Sequence, residues 1–265
     1  MSWPPTSWDG PIRTSDRGIG LKNGLIARWD EQRGWRSPPV GQSWQVASVR
    51  SLTTLSLPGA DDVVLVTGTS AGSICFHDLA SGEQRWGPVR EDAAVRALAA
   101  LSTESGPLVA FSSGRTVGFS RVGAPSHLRL PGRAGPVPSL AVCPAEDGSS
   151  LLVTGGSDGC VRLWSPDAPR TEAYPVLEGH HGPVSAIGVL PPTPTSPQPL
   201  LATAGSSDTT VRLWNPWTGE ELMRVVTGTP LTSLCVLPDG SMPDTADSAI
   251  AFGGPAGLAA LTVRR

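Results

Sequence analysis

Two strings of the form Gly-x-Ser-x-Gly could carry hydrolytic chemistry. They are Gly68-Thr69-Ser70-Ala71-Gly72 and Gly155-Gly156-Ser157-Asp158-Gly159. In a hydrolase this pattern places a nucleophilic serine on a sharp turn from a strand into a helix, and Asp and His partners follow along the chain. Here both strings fall at the same position of an internal repeat, where the flanking apolar runs predict a turn between two strands. The sequence therefore disfavours a hydrolase and predicts a chain that is not an enzyme.

Histidines and cysteines are the candidates for metal binding. His180 and His181 are adjacent, so in an extended segment their side chains point to opposite sides and are poorly placed to share one ion. The four cysteines occur singly, never as a Cys-x-x-Cys pair: Cys75, Cys143, Cys160 and Cys235. We expect them to be small buried side chains in a reducing compartment, and we predict no metal, no cofactor and no disulfide.

Composition and charge narrow the class of protein further. The 265 residues include 31 Gly and 27 Pro, which predicts many tight turns between short elements. The net charge of −3 argues against a nucleic-acid partner. No signal-like start and no apolar run of about 20 residues is found, so we expect a cytoplasmic chain without a membrane partner. Lys22 is the one lysine among 20 basic residues, a bias typical of GC-rich bacterial genomes.

An internal repeat must position these residues. Leu130-Pro131-Gly132-Arg133-Ala134-Gly135-Pro136-Val137 aligns without a gap on Leu177-Glu178-Gly179-His180-His181-Gly182-Pro183-Val184. The segments that follow, residues 152–164 and 201–214, also match and both end in Val-Arg-Leu-Trp. Weaker copies lie at residues 64–78, 109–119 and 250–263, and residues 23–30 hold a fragment. A period of 40 to 50 residues indicates an array of one supersecondary unit, here four short antiparallel strands.

These residues resemble the signature of the WD-repeat family. The resemblance rests on Gly179-His180, Asp208 and Val211-Arg212-Leu213-Trp214, and on a similar set at Thr154, Asp158 and Trp164. It implies an all-β β-propeller with five to six blades, each a four-stranded antiparallel sheet. It also implies a hydrogen-bonded staple of His, Ser or Thr, Asp and Trp in each blade.

The resemblance assigns six residues to such staples: His180, Asp208 and Trp214 in one blade, and Thr154, Asp158 and Trp164 in the preceding one. Neither set is expected to be complete. Ala204 takes the hydroxyl position of the first, and Arg133 takes the histidine position of the second. Near Ala71 the Asp is missing and His77 replaces the Trp.

We predict a tail rich in Trp and Pro over residues 1–16 and a propeller over residues 17–265. Gly34 to Val40 could supply the fourth strand of the last repeat, which spans Ile250 to Val263. A second possibility is a partial ring that another chain completes. The blade number and the mode of closure stay open at this point.

The resemblance implies a non-catalytic scaffold that binds protein partners through its loops. Loops at one end of the predicted hairpins are rich in Asp and Glu, and this defines an acidic rim. The opposite, less acidic rim holds Arg115, Arg133 and His181, which are the candidate partner-binding residues. An acidic partner would favour this second rim. The sequence does not identify the partner.

Overall fold

All 21 elements that the computed structural model assigns in its described residues are β-strands. The described residues are 17–20, 26–30, 34–36, 48–57, 63–79, 83–103, 106–123, 127–130, 135–145, 147–167, 174–193, 196–237 and 248–263. The predicted all-β class is confirmed. No helix in these ranges is long and apolar enough to cross a bilayer.

The first three sheets follow the chain in order, and neighbouring strands pair antiparallel. The first sheet consists of β1 (Arg17–Gly20), β2 (Ile26–Asp30) and β3 (Gly34–Arg36). The second consists of β4 (Val49–Ser56), β5 (Val63–Thr69), β6 (Ser73–Asp78) and β7 (Gln84–Arg90). The third consists of β8 (Val95–Thr103), β9 (Gly106–Ser113), β10 (Thr116–Arg121) and β11 (His127–Arg129).

Three further sheets repeat the same meander. The fourth sheet consists of β12 (Ser139–Pro144), β13 (Ser150–Gly155) and β14 (Val161–Trp164). The fifth consists of β15 (Val184–Leu190), β16 (Leu200–Gly205), β17 (Thr210–Trp214) and β18 (Glu221–Val226). The sixth consists of β19 (Ser233–Leu237), β20 (Ser248–Gly254) and β21 (Gly257–Val263).

The chain divides into two compact units. The first comprises Met1–Gly114 and Gly118–Arg129, and the second comprises Arg115–Val117 and Leu130–Arg265. Each unit has its own apolar core. In the first, Val64, Val66, Ile74, Val109 and Phe111 are completely buried or nearly so. The second has one core between the fourth and fifth sheets and another between the fifth and sixth.

The stacking of the sheets explains why the second strand of a sheet is buried along its whole length. All six residues of β16, Leu200–Gly205, are buried, because the fifth sheet is covered on both faces. A strand buried on both faces carries small and apolar residues continuously and does not alternate. The outermost strand of the same sheet, β18, instead alternates half-buried and exposed positions. The repeat is therefore a sheet that needs neighbours on both sides to bury its faces.

Two details of strand pairing differ from the predictions. Three of the six sheets have four strands, while the first, fourth and sixth have three in the described residues. In the fourth sheet Leu177 forms a single bridge to Val161 where a fourth strand would lie. Gly34–Arg36 does not complete the last repeat, because it pairs with Ile26–Asp30 of the first sheet. The remaining positions of that predicted strand, 37–40, lie outside the described residues, as does the predicted tail at 1–16.

Candidate functional site

A network of side-chain hydrogen bonds connects the strands of the fifth sheet. His180 Nε2 lies 2.8 Å from Thr203 Oγ1, and its Nδ1 lies 2.8 Å from Asp208 Oδ2. Trp214 Nε1 donates to the same Thr203 hydroxyl at 2.8 Å. His180 precedes β15, Thr203 lies in β16, and Asp208 and Trp214 lie in the following turn and strand. The network therefore joins three consecutive parts of one sheet.

The pattern of donors fits one histidine tautomer. An indole N–H can only donate, so Thr203 accepts from Trp214 and is able to donate its own hydrogen to His180 Nε2. His180 then carries its proton on Nδ1 and donates it to the Asp208 carboxylate. Burial lowers the pKa of His180 and outweighs the opposing effect of Asp208. The imidazole is therefore neutral near pH 7 and acts as a relay between hydroxyl and carboxylate.

Asp208 also organises the loops on either side of it. Its Oδ2 accepts from the backbone N–H of His181 at 3.2 Å, and its Oδ1 accepts from that of Thr210 at 3.2 Å. Burial alone would raise the pKa of Asp208, but the hydrogen bonds from His180 and these neighbours lower it below the ordinary value. The carboxylate is thus charged and holds the loop before β15 against the turn before β17.

Arg212 brings positive charge into this network from strand β17. Only 4% of its side chain is exposed, and it forms ion pairs with Glu221 at 2.6 Å and with Asp208 at 3.5 Å. Its Nε also donates to Thr210 at 3.2 Å. A buried charge lowers stability unless it is paired, so Glu221 and Asp208 compensate the charge of Arg212. Arg212 was not predicted to belong to this network; the available signal was an arginine within the apolar run Val-Arg-Leu-Trp.

The hydroxyl of this network belongs to Thr203, and the assignment of Ala204 to that role was wrong. Counting four residues back from Asp158 gives Thr154, and the same count from Asp208 gives Ala204. The strand pairing shows why the spacing between Thr154 and Asp158 does not apply to Asp208. Residues 205–210 lie between the partners Ala204 and Val211, whereas residues 156–160 lie between Gly155 and Val161. The turn of the fifth sheet is one residue longer, with Thr209 at a positive φ of 55°.

The fourth sheet has a smaller version of the network. Trp164 Nε1 donates to Thr154 Oγ1 at 3.0 Å. Asp158 takes another role, because it pairs with Arg162 at 2.9 Å and accepts from the backbone N–H of Cys160 at 3.1 Å. Arg133, at the position expected for histidine, lies outside the described residues.

His77 of the second sheet occupies the strand position that Trp164 and Trp214 occupy in the fourth and fifth sheets. It is paired with Leu65, just as Trp164 is paired with Leu152 and Trp214 with Leu201. The side chain is buried, and this desolvation lowers its pKa from 6.5 to about 4. A buried, neutral histidine therefore replaces an indole at this position.

The candidate partner-binding residues lie at the surface where they are described. Arg115 is exposed in the turn between β9 and β10, and His181 is exposed in the loop before β15. Arg133 is outside the described residues, so the three cannot be placed as one cluster.

The two Gly-x-Ser-x-Gly strings lie in tight turns between antiparallel strands. The first connects β5 to β6 and the second connects β13 to β14. Gly72 and Gly159 adopt φ values of 82° and 81°, and the glycine pattern serves these turns. Neither string begins a helix, so the geometry of a nucleophile elbow is not formed.

Three of the four cysteines are buried or half-buried. Cys75 and Cys143 are buried and Cys160 is half-buried, all as free thiols, but Cys235 is exposed, contrary to the expectation of burial. In the part of the chain that is described, no group of three or more His, Cys, Asp or Glu side chains is arranged to hold a metal ion.

Comparison with known families identifies two of the repeats. Residues 126–165 and 172–215 match the family described as "WD domain, G-beta repeat". These segments contain the hydrogen-bonded side chains of the fourth and fifth sheets that surround Trp164 and Trp214. The resemblance inferred from Asp158, Trp164, Asp208 and Trp214 is therefore confirmed for this part of the chain.

Similar curated proteins match between a third and two thirds of the chain and are much longer. The chain is 28% identical over 188 residues, 68% of its length, to "Telomerase protein component 1" of Mus musculus. It is 33% identical over 181 residues, 64% of its length, to "Elongator complex protein 2" of Rattus norvegicus. It is 32% identical over 88 residues, 33% of its length, to "Small ribosomal subunit protein RACK1y" of Oryza sativa subsp. japonica. The alignments span only 7%, 22% and 24% of these relatives.

Solved structures share the fold at low identity. A computationally designed protein, Ika8, superposes with a TM-score of 0.67 at 16% identity, covering 96% of this chain and 70% of the designed one. A chain of a mitotic checkpoint complex superposes with a TM-score of 0.66 at 21% identity, covering 94% of this chain and 77% of the other. Residues 126–165 and 172–215 are thus repeats of the WD family, and the chain as a whole has the all-β fold of antiparallel sheets found in WD-repeat proteins.

Proposed function

We propose that this chain is a non-catalytic scaffold that binds a protein partner through the loops at one end of its sheets. The names of its relatives support this function class, since they denote a telomerase component, a protein of the Elongator complex and a ribosomal subunit protein. The observation that carries the proposal is the network around Asp208. It fixes the loop before β15 while leaving the His181 side chain exposed.

A loop held in this way is suited to binding. His180 is anchored on both ring nitrogens, and the backbone of His181 is held by the same carboxylate. A partner that contacts the exposed imidazole of His181 would meet a loop that is already ordered. Binding then costs less conformational entropy than ordering a free loop would.

Charge suggests the chemistry of the partner. The loop itself carries one exposed acidic side chain, Glu178. The two acidic side chains beside it are ion-paired, Asp158 with Arg162 and Asp208 with Arg212. Their negative charge is thereby largely neutralised. Arg115 and His181 stay exposed on the second unit, so an acidic protein surface is the partner that this rim would attract.

The test is co-purification with charge-reversed variants. The chain is tagged and recovered from its own cells, and bound proteins are identified by mass spectrometry. We expect the double variant Arg115→Glu, Arg133→Glu to lose a partner that the unchanged chain retains. Once identified, that partner should bind the purified chain directly, and binding should weaken as salt is raised.

A matched control is the double variant Arg50→Glu, Arg96→Glu, which reverses exposed arginines of strands β4 and β8 in the first unit. It should retain the partner, because it changes the net charge but not the candidate rim. If both arginine variants lose the partner equally, binding responds to overall charge and the rim assignment fails. If neither loses it, the binding surface lies elsewhere, with the acidic loops as the next candidate.

A second candidate role is a structural module that completes a ring with another chain. The three-stranded sixth sheet favours it, since a fourth strand is absent there among the described residues. The cytoplasmic location, the bacterial source, the absence of a nucleic-acid or membrane partner and the boundary between residues 16 and 17 remain predictions from the sequence. They do not enter the test above.

A further inference from the structure

We propose that an ion pair between Glu91 and Arg129 holds the loop before β8 in the third sheet, in place of the histidine network that holds the loop before β15 in the fifth. Both residues belong to the first compact unit. The proposal therefore concerns the order of one loop within that unit, and it does not depend on a bound partner. It rests on a comparison of the third and fifth sheets, whose first two strands share one pattern of pairing.

Glu91 occupies the position of the histidine. Val95 of β8 and Val184 of β15 are each the first paired residue of their strand, and in each strand a one-residue shift in the pairing follows directly. Glu91 precedes Val95 by four residues, and His180 precedes Val184 by four residues. A carboxylate therefore stands in the third sheet where an imidazole stands in the fifth.

The backbone around these two residues is also alike. Gly72, in a turn of the preceding sheet, has a φ of 82°, and a Cβ there would touch the carbonyl oxygen of Glu91. Gly159 has a φ of 81° and approaches the carbonyl oxygen of His180 in the same way. The Glu91 N–H also donates to the carbonyl oxygen of Gly72 at 2.8 Å. Both loops therefore pack on the turn of the sheet before them, and the side chain that anchors each loop differs.

The third sheet has a phenyl ring at the position of the Thr203 hydroxyl. Thr203 lies opposite the third residue after Val184, and Phe111 lies opposite the third residue after Val95. A phenyl ring cannot form the hydrogen bonds by which the Thr203 hydroxyl connects an imidazole to an indole. The network of the fifth sheet therefore cannot form at this position, and the side chain of residue 91 needs a different partner.

Arg129 supplies that partner from β11, the last strand of the sheet. Its Nη2 donates to both carboxylate oxygens of Glu91, each at 3.2 Å. The arginine is paired across the sheet with Gly118 of β10. A Cβ at Gly118 would lie 2.6 Å from Phe111 Cζ, so the glycine makes room for the phenyl ring. The ion pair thus connects the last strand of the third sheet to the loop before its first strand.

Burial of the carboxylate makes the loop dependent on the arginine. The Glu91 side chain is 3% exposed, whereas that of Arg129 is 49% exposed. A buried charge that loses its partner is strongly destabilising, while a half-exposed guanidinium remains hydrated. Removing the arginine should therefore loosen the loop more than removing the carboxylate does. Removing both should be milder than removing the arginine alone, an order that simple packing of the two side chains would not produce.

The experiment is amide hydrogen exchange of the full chain and of three variants: Arg129→Gln, Glu91→Gln and the double variant. The backbone N–H of residue 91 reports on the loop, because its bond to Gly72 protects it from exchange. We expect Arg129→Gln to lower the protection factor of this N–H at least about tenfold, and the other two variants to lower it less. Arg96→Gln changes an exposed arginine of β8 in the same sheet and is the matched control, which should leave the protection unchanged.

Equal protection of residue 91 in Arg129→Gln and Arg96→Gln would overturn the proposal. So would a double variant in which the losses of the two single variants simply multiply, because that is the behaviour of side chains that do not interact. If Arg129→Gln does not accumulate as a folded chain, the double variant decides the question. A double variant that folds shows the rescue that the ion pair predicts, and one that also fails to fold contradicts it.

Discussion

Thr203 is the residue on which the staple of the fifth sheet depends. It accepts from Trp214 and lies within hydrogen-bond distance of His180. Thr203→Val keeps the shape of the side chain but leaves both buried partners unsatisfied, each at a cost of about 1 to 3 kcal/mol. We therefore expect the free energy of unfolding to fall by about 2 to 6 kcal/mol in urea denaturation.

Thr218→Val is the control for this change, because Thr218 is an exposed loop residue next to the same sheet. It should change the stability by no more than about 0.5 kcal/mol. If Thr203→Val and Thr218→Val have the same free energy of unfolding, Thr203 does not staple the sheet.

Acid should destabilise the protein through its buried histidines. The pKa of His77 falls to about 4 in the folded chain, and that of His180 is also lowered, both by burial. The unfolded chain therefore binds protons more readily, so stability present at pH 7 is lost as the pH drops below about 6.5. For His77 alone the loss between pH 7 and pH 5 is about 2 kcal/mol.

Comparison of unfolding at pH 7 and pH 5 checks this prediction. His77→Phe removes the titrating group from a buried position and should make the stability less dependent on pH. Thr218→Val is an exposed change that removes no titrating group and should leave the dependence unchanged. Equal pH dependence in all three proteins would contradict a role for His77.

At the scale of elements, small residues on one sheet set the spacing to the next. Gly188 of β15 faces Leu234 and Val236, and a Cβ placed there would lie 2.9 Å from Val236 Cγ2. Gly188→Val should therefore overpack this interface and reduce stability by about 1 to 3 kcal/mol.

Gly87 of β7 provides the matched comparison, since nothing lies within 4 Å of the corresponding position. Gly87→Val should be neutral or slightly stabilising, because valine suits an exposed strand. Thermal unfolding of the two variants measures the difference. A Gly188→Val protein as stable as Gly87→Val would show that the fifth and sixth sheets do not pack closely.

Elements were more predictable than the contacts between them. The repeats at Trp164 and Trp214 made the strands and turns visible, because each strand is short, apolar and bounded by Gly, Ser or Asp. Thr203 was missed because a turn longer by one residue shifts the count back from Asp208. The pairing of Gly34–Arg36 with β2 was missed because three residues carry too little pattern to specify a partner strand.

At the scale of the whole molecule, the fold class was predictable and its exposed surfaces were not. Repetition of one unit is a property of the sequence, and it predicts stacked antiparallel sheets. Cys235 was expected to be buried like the cysteines of earlier repeats, yet it is exposed, because a repeat pattern marks a strand and does not specify what covers each of its faces.

The central claim, that ordered loops of WD-type repeats bind a protein partner, is tested most directly by hydrogen exchange with and without that partner. Because Asp208 and His180 hold the loop before β15, we predict that binding slows exchange at residues 178–183 and around Arg115. Strands that are already hydrogen-bonded should change little. Slower exchange confined to the outer strands β7 and β18, with the loops unaffected, would contradict the account.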